Sequence, residues 1–292
     1  MSFNTKSINQ KRGIFVKKLI GCALMPYSNL IVEQINEKEP QNIKATMESV
    51  CLAGKLISEK RPDTIVVLSS SEQAFEDAIT ISVHPRLRGS FEDESLAETI
   101  LGFETDTFLI DVITQSSVRL GINLIKMTED VAKKHQFELN LQEKELLPLY
   151  YLYKNGFKGQ IVCLRVKTFS PEEMYTFGKA LQVAISSLNK KVAVVTIADI
   201  SSSLNYLKNS GVAVPDFEED LFKVLKNKER KELFELNEIF DKQTEKCDLK
   251  QLFFLMGIVA GLNTETTVCS YEREQEESCA VIYYSVQNNN DK

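Results

Sequence analysis

The sequence predicts an α/β fold: a single domain with a central, mostly parallel or mixed sheet and helices on both faces. Three observations predict it. Short β-branched runs recur along the chain, helical stretches with clear start or stop signals lie between several of them, and no repeat or low-complexity linker divides the sequence. With 292 residues, 43% hydrophobic and 26% charged, the chain can bury a substantial core.

The first run, Leu19–Met25, follows Lys11, Arg12, Lys17 and Lys18 and stops at Pro26. It is too short for a bilayer span and lacks a small-residue cleavage pattern, so it is expected to be a buried strand rather than a signal peptide. Helical spacing of Ile43, Met47, Val50, Cys51, Ala53, Leu56 and Ile57 predicts a helix from Ile43 to Lys60, stopped by Arg61-Pro62-Asp63. Strands are expected at Thr64–Ser69 and Gln160–Val166. Ser170-Pro171-Glu172-Glu173 combines a hydroxyl cap, a first-turn proline and acids against the helix dipole, and starts a helix running to about Leu188. Further strands are expected at Val192–Ile197, Thr266–Tyr271 and Ala280–Ser285. The apolar run Leu252–Leu262 is too short to span a membrane. Residues 1–14 are expected to form a flexible arm, residues 15–286 the domain and residues 287–292 a flexible tail.

Charge and composition exclude several functions. A net charge of -6 and a pI near 5.3 give no basic field for a nucleic acid and fit an acidic cytoplasmic protein. The six cysteines, Cys22, Cys51, Cys163, Cys247, Cys269 and Cys279, form no CxxC pair and are expected to be buried, reduced thiols. With His84 and His135 as the only histidines, a histidine-rich centre is excluded by count. There is no Gly-rich phosphate loop, no GxGxxG after a strand and no HExxH. The clusters Ser69-Ser70-Ser71 and Ser201-Ser202-Ser203 have no histidine partner, so a histidine-dependent serine hydrolase has no support. Lys226–Lys231 alternates with glutamates and reads as a solvated helical face.

Ligands of such folds collect at the carboxyl ends of strands. Those edges here read Met25-Pro26-Tyr27-Ser28-Asn29, Ser69-Ser70-Ser71-Glu72 and Ala198-Asp199-Ile200-Ser201-Ser202. In order and spacing they resemble the class III extradiol ring-cleavage dioxygenase superfamily, LigB type, and its Memo-like relatives of the AmmeMemoRadiSam group. Met25-Pro26-Tyr27 resembles a Met-Pro-His turn, and Ser69-Ser70-Ser71 a Ser-Pro-His turn. Gln142-Glu143-Lys144 stands for Asp-His-Gly ahead of Pro148-Leu149-Tyr150, and Asp199-Ile200-Ser201-Ser202 for Asp-Leu-Ser-His. The segment Pro85-x-Leu87-Arg88-Gly89-x-Phe91 matches further, and Lys246-Cys247-Asp248-Leu249 resembles Glu-Cys-Gly-Leu.

The resemblance implies a non-haem ferrous centre of two histidines and a carboxylate, with another histidine moving protons. At those positions stand Tyr27 and Ser71 as ligands, Lys246 as the carboxylate, and Glu143 and Ser202 as proton-handling groups. A lysine there opposes a divalent cation by charge and offers no lone pair when protonated. No cofactor is therefore expected, and the implied role is a LigB-like non-catalytic structural or regulatory subunit in a homo-oligomer, or in a heteromer with an active paralogous subunit. No nucleic-acid or membrane partner is expected. The alternatives are an active oxidoreductase with an altered Tyr/Asp/Glu/Cys site holding Fe2+ or another divalent metal, and a small-molecule binding module in the vacated cleft. The first would use Tyr27, Glu143, Glu245, Asp199 and Cys247, with Asp199 and Cys247 as its metal-ligand candidates. The second would bind its ligand with Arg88 and Asp199. Against these stand ordinary roles: Asp199 capping backbone donors, Cys247 as packing, and His84 and His135 as surface residues.

Overall fold

A computed structural model describes residues 18–28, 31–32, 43–91, 100–198, 214–241, 249–274 and 277–287. Its main sheet has eight strands in the order β6-β3-β7-β2-β8-β1-β10-β9. These are β1 (Leu19–Met25), β2 (Thr64–Ser70), β3 (Ile79–Ser82), β6 (Leu124–Met127), β7 (Gln160–Val166), β8 (Val192–Ile197), β9 (Thr264–Glu274) and β10 (Glu277–Val286). The centre, β7-β2-β8-β1, is parallel. Antiparallel pairing on each side, β3 with β7 and β10 with β1 and β9, makes the sheet mixed, as expected. A separate two-stranded ribbon joins β4 (Arg86–Gly89) and β5 (Leu101–Glu104).

Alternation along the central strands divides the core into two layers. Val66 and Leu68 of β2, Val162 and Leu164 of β7, and Val194 of β8 face one side. That layer is covered by α2 (Thr107–Arg119), α5 (Pro171–Ser186) and α8 (Lys250–Val259), with α6 (Val214–Asn227) and α7 (Arg230–Asp241) beyond. Ile65, Val67, Ile161, Cys163, Ala193 and Val195 face the other side, toward α1 (Lys44–Glu59), α4 (Glu143–Lys154) and the β4–β5 ribbon. A short α3 (Glu129–His135) follows β6.

Local chemistry explains the helix ends. Ser170 and Glu173 close a capping box on α5, with proline in its first turn. The N-terminus of α1 takes its anion from a distant strand: Glu272 of β9 accepts the Ala45 N–H at 3.1 Å and the Thr46 N–H at 2.5 Å. Asp106 caps α2 through the Leu109 N–H at 3.0 Å and also binds Thr64 and Lys190. Burial would raise its carboxyl, yet those hydrogen bonds and the Lys190 charge hold it below the usual range.

Two expectations need correction. Cys22, Cys163 and Cys279 are buried and outside any disulfide, but Cys51 is exposed. It lies one position past Val50 on α1 and so turns out of the buried stripe of Val50, Ala53 and Ile57. Cys247 and the Cys269 side chain lie outside the described residues. Lys226–Lys231 is not one helical face, because Lys228 adopts φ 61° and separates α6 from α7. Four-residue strands β3 to β6 carry too few apolar positions to stand out as runs. The proposed arm at residues 1–14 lies outside the described residues, and of the tail only Gln287 is described, its N–H donating to the Asn263 carbonyl. Among the described residues no helix is long and apolar enough to cross a membrane.

The tightest helix contact is between α5 and α8. A Cβ on Gly178 would run into the Phe254 carbonyl, and one on Gly257 into the Tyr175 carbonyl. Backbone cannot yield as a flexible side chain does. Gly257→Ala is therefore expected to destabilise the fold by about 1–3 kcal/mol, read as a lower urea midpoint.

Candidate functional site

The carboxyl ends of β1, β2, β7 and β8 converge on the N-terminus of α4. Ala198 donates its N–H to the Met25 carbonyl at 3.3 Å, and Ser71 donates its own to the Val166 carbonyl at 2.9 Å. Across this edge Tyr27 Oη donates to Glu143 Oε2 at 2.8 Å. Ser71 Oγ donates to Gln142 Oε1 at 3.0 Å and accepts the Gln73 N–H at 3.0 Å. Three positions separated widely in sequence, Tyr27, Ser71 and Glu143, thus meet in one place. Asp199, Ser202, Glu245, Lys246 and Cys247 lie outside the described residues.

The pair of a phenol and a carboxylate can hold or pass a proton, and Glu143 stands in the first turn of α4. Ser71 is 4% exposed, so its hydroxyl is fixed rather than solvated. Arg88 is placed differently. Its side chain is exposed on β4, while its carbonyl accepts the Leu141 N–H at 2.8 Å. The neighbouring Leu87 and Phe91 are buried, and a Cβ on Gly89 would come within 2.7 Å of the Leu141 carbonyl. The Leu-Arg-Gly segment therefore supports the approach to α4 mainly by packing and backbone contact. His84 is half-exposed and faces Glu129 at 3.5 Å. His135 sits edge-on to Phe75, with ring centroids 4.9 Å apart.

Beneath the edge lies a network that sequence reasoning missed. Arg165 of β7 and Glu145 of α4 are 1% and 0% exposed. Arg165 Nε donates to Glu145 Oε1 at 2.7 Å and Nη2 to Oε2 at 2.8 Å, a bidentate pair. Nη1 also donates to the Glu138 carbonyl at 2.7 Å, and Nη2 to the Asn140 carbonyl at 2.6 Å. Glu145 also accepts Ser69 Oγ at 2.8 Å and the Gln142 N–H at 2.9 Å. Ser69 and Arg165 are register partners on β2 and β7, so the sheet itself aligns both donors.

Burial alone would raise the Glu145 carboxyl, but the Arg165 charge and the hydrogen bonds from Arg165, Gln142 and Ser69 outweigh it and hold it below the usual carboxylate range. Burial likewise opposes the Arg165 charge, and Glu145 overrides it and raises its pKa. Burial, then the nearby Glu145 charge, pushes the Cys163 thiol well up, so it is an inert thiol. A signal for the pair was present: a lone arginine within the apolar run Gln160–Val166 requires a buried anion.

This arrangement, a mixed sheet whose strand ends face a helix N-terminus, is that of an α/β protein with its candidate site at the carboxyl edge of the sheet. Residues 21–281 match the family described as the catalytic LigB subunit of aromatic ring-opening dioxygenase, and the chain belongs to that family. Protein CA_C1420 of Clostridium acetobutylicum is 24% identical over 256 residues, which cover 87% of this chain and 55% of the relative. The chain thus spans about half the length of that curated relative. The crystal structure of uncharacterized protein JW3007 from Escherichia coli K12 superposes with a TM-score of 0.51 at 11% identity, covering 90% of this chain and 99% of that one, and supports the fold alone.

Removing one partner of the buried pair leaves the other charge uncompensated. Glu145→Ala is expected to cost about 3–5 kcal/mol, whereas Glu145→Leu with Arg165→Met is expected to recover most of that loss in urea unfolding. The acid limb has a definite sign. Because the folded-state pKa of Glu145 lies below its unfolded value, its stabilisation is complete above about pH 4.3 and is lost as pH falls through the depressed folded value. Relative to wild type, Glu145→Gln should show a shallower loss of melting temperature below that pH.

Proposed function

We propose that this chain uses the LigB scaffold without the family's iron chemistry, as a non-catalytic structural or regulatory subunit in a homo-oligomer or beside an active paralogous subunit. One observation carries the reading. At the strand edge where the resemblance would place metal ligands and a proton carrier, Tyr27 and Ser71 are engaged in hydrogen bonds with Glu143 and Gln142. One carboxylate, Glu143, beside a phenol, an aliphatic hydroxyl and a carboxamide, with no imidazole, does not make the two-histidine, one-carboxylate set that suits a ferrous ion. Among the described residues no group of three or more His, Cys, Asp or Glu side chains is placed to hold a metal ion. Lys246, at the position of the family's carboxylate, adds an opposing charge in sequence. The Memo-like character and a cytoplasmic location belong to the same reading.

A second reading has one observation in its favour. Tyr27 and Glu143 converge rather than diverge, so the cleft retains a polar pair able to bind a small hydrogen-bonding ligand or take part in altered chemistry. The test is metal analysis after anaerobic exposure to ferrous iron, with a catechol turnover assay on the same sample. No stoichiometric iron and no ring cleavage above buffer are expected. Stoichiometric iron with ring cleavage would overturn the proposal.

A further inference from the structure

The opposite end of the sheet carries a cleft that the LigB reading does not use. It lies at the amino ends of β2, β7 and β8, has a volume of about 570 Å³, and is closed on one side by the β4–β5 ribbon. That volume falls within the range of small-molecule sites. We infer that this cleft binds a small aromatic anion, a flat apolar ring bearing a carboxylate or phosphate, held by Arg86 and Lys158 against Tyr153.

Charge favours an anion there. Three cations line the cleft, Arg86, Lys158 and Lys190, against two acids, Asp63 and Glu104. Lys190 is compensated by the Asp106 carboxylate at 2.8 Å and also donates to Gln160 Oε1 at 3.2 Å, so the cations left to attract an anion are Arg86 and Lys158. Asp63 Oδ2 is turned to the Lys191 N–H at 2.7 Å. Among the described residues, neither the Arg86 guanidinium nor the Lys158 ammonium has an ion-pair partner, although Glu104 is the cross-strand neighbour of Arg86. Unlike Lys190, both remain available to a ligand, and a guanidinium offers the planar fork that carboxylates and phosphates accept.

The walls favour a flat body. Tyr153 is 51% exposed although it is a large aromatic, and it lines this cleft together with the Phe157 ring. Behind it Phe103 and Phe157 stack, with centroids 6.0 Å apart, giving a rigid apolar floor. Gly102 completes the shape. The Arg86 guanidinium lies across Gly102 of β5, its Nε 3.4 Å from where a Cβ would stand, an ordinary contact distance. An apolar floor next to unengaged cations selects for a ligand that is both flat and anionic.

The test is isothermal titration of the whole chain with phenyl phosphate and benzoate, using inorganic phosphate and benzamide as controls for the anion and the ring alone. One site per chain is expected for at least one aromatic anion, with both controls weaker by roughly tenfold or more. Arg86→Gln and Lys158→Gln, both exposed positions, should each weaken binding by roughly tenfold with the melting temperature unchanged. Tyr27→Phe, at the other end of the sheet, should leave it intact. No binding, inorganic phosphate binding as tightly as phenyl phosphate, or affinity lost in Tyr27→Phe but kept in the two cleft variants would overturn the inference.

Discussion

The buried Arg165–Glu145 pair is the interaction on which the candidate site depends. It joins the end of β7 to the first turn of α4, and the guanidinium's spare donors hold the loop carbonyls of Glu138 and Asn140. Through Ser69 it reaches β2, and the Leu141 N–H carries the same loop to β4. Together with the Leu141–Arg88 backbone contact and the buried face of α4, this clamp fixes Gln142 and Glu143 opposite Ser71 and Tyr27. Desolvation makes such a pair a weak source of net stability. Its effect is better described as specificity: donors on both sides are filled in only one register of α4 against the sheet.

The clamp and the strand-edge contacts form two tiers with different chemistry. The lower tier is charged, buried and densely hydrogen-bonded. The upper tier, Tyr27 with Glu143 and Ser71 with Gln142, is partly buried and joined by hydrogen bonds between uncharged donors and polar acceptors. A rigid lower tier allows residues above it to change without loss of the fold. LigB-family membership combined with hydroxyl, carboxamide and carboxylate groups at this edge follows naturally from that separation.

Much of the fold was legible because the long central strands are mostly apolar and almost wholly buried. Leu19–Met25, Gln160–Val166 and Val192–Ile197 are buried along nearly their whole length, so burial wrote them into composition. The ribbon and the outer strands β3 and β6 are four residues each, and their identity comes from pairing rather than from local pattern. Within the site, Tyr27, Ser71 and Glu143 were found by their place after strands and by resemblance. Glu145 was overlooked because its carboxylate sits in an ordinary polar helix start, Gln142 to Glu145, and only the fold reveals that it turns inward. Arg88, singled out in sequence for its guanidinium, also holds the approach to α4 through its backbone carbonyl, a contact that no sequence pattern announces.

The most direct measurement is a crystal structure from protein grown anaerobically with excess ferrous iron, with anomalous data collected at the iron edge. Tyr27 Oη should lie within hydrogen-bond distance of Glu143, Ser71 Oγ within reach of Gln142, and no anomalous peak should appear between the ends of β1 and β2. A peak there with Tyr27 or Glu143 turned onto the metal would contradict the claim that internal hydrogen bonds have replaced metal ligation at this edge.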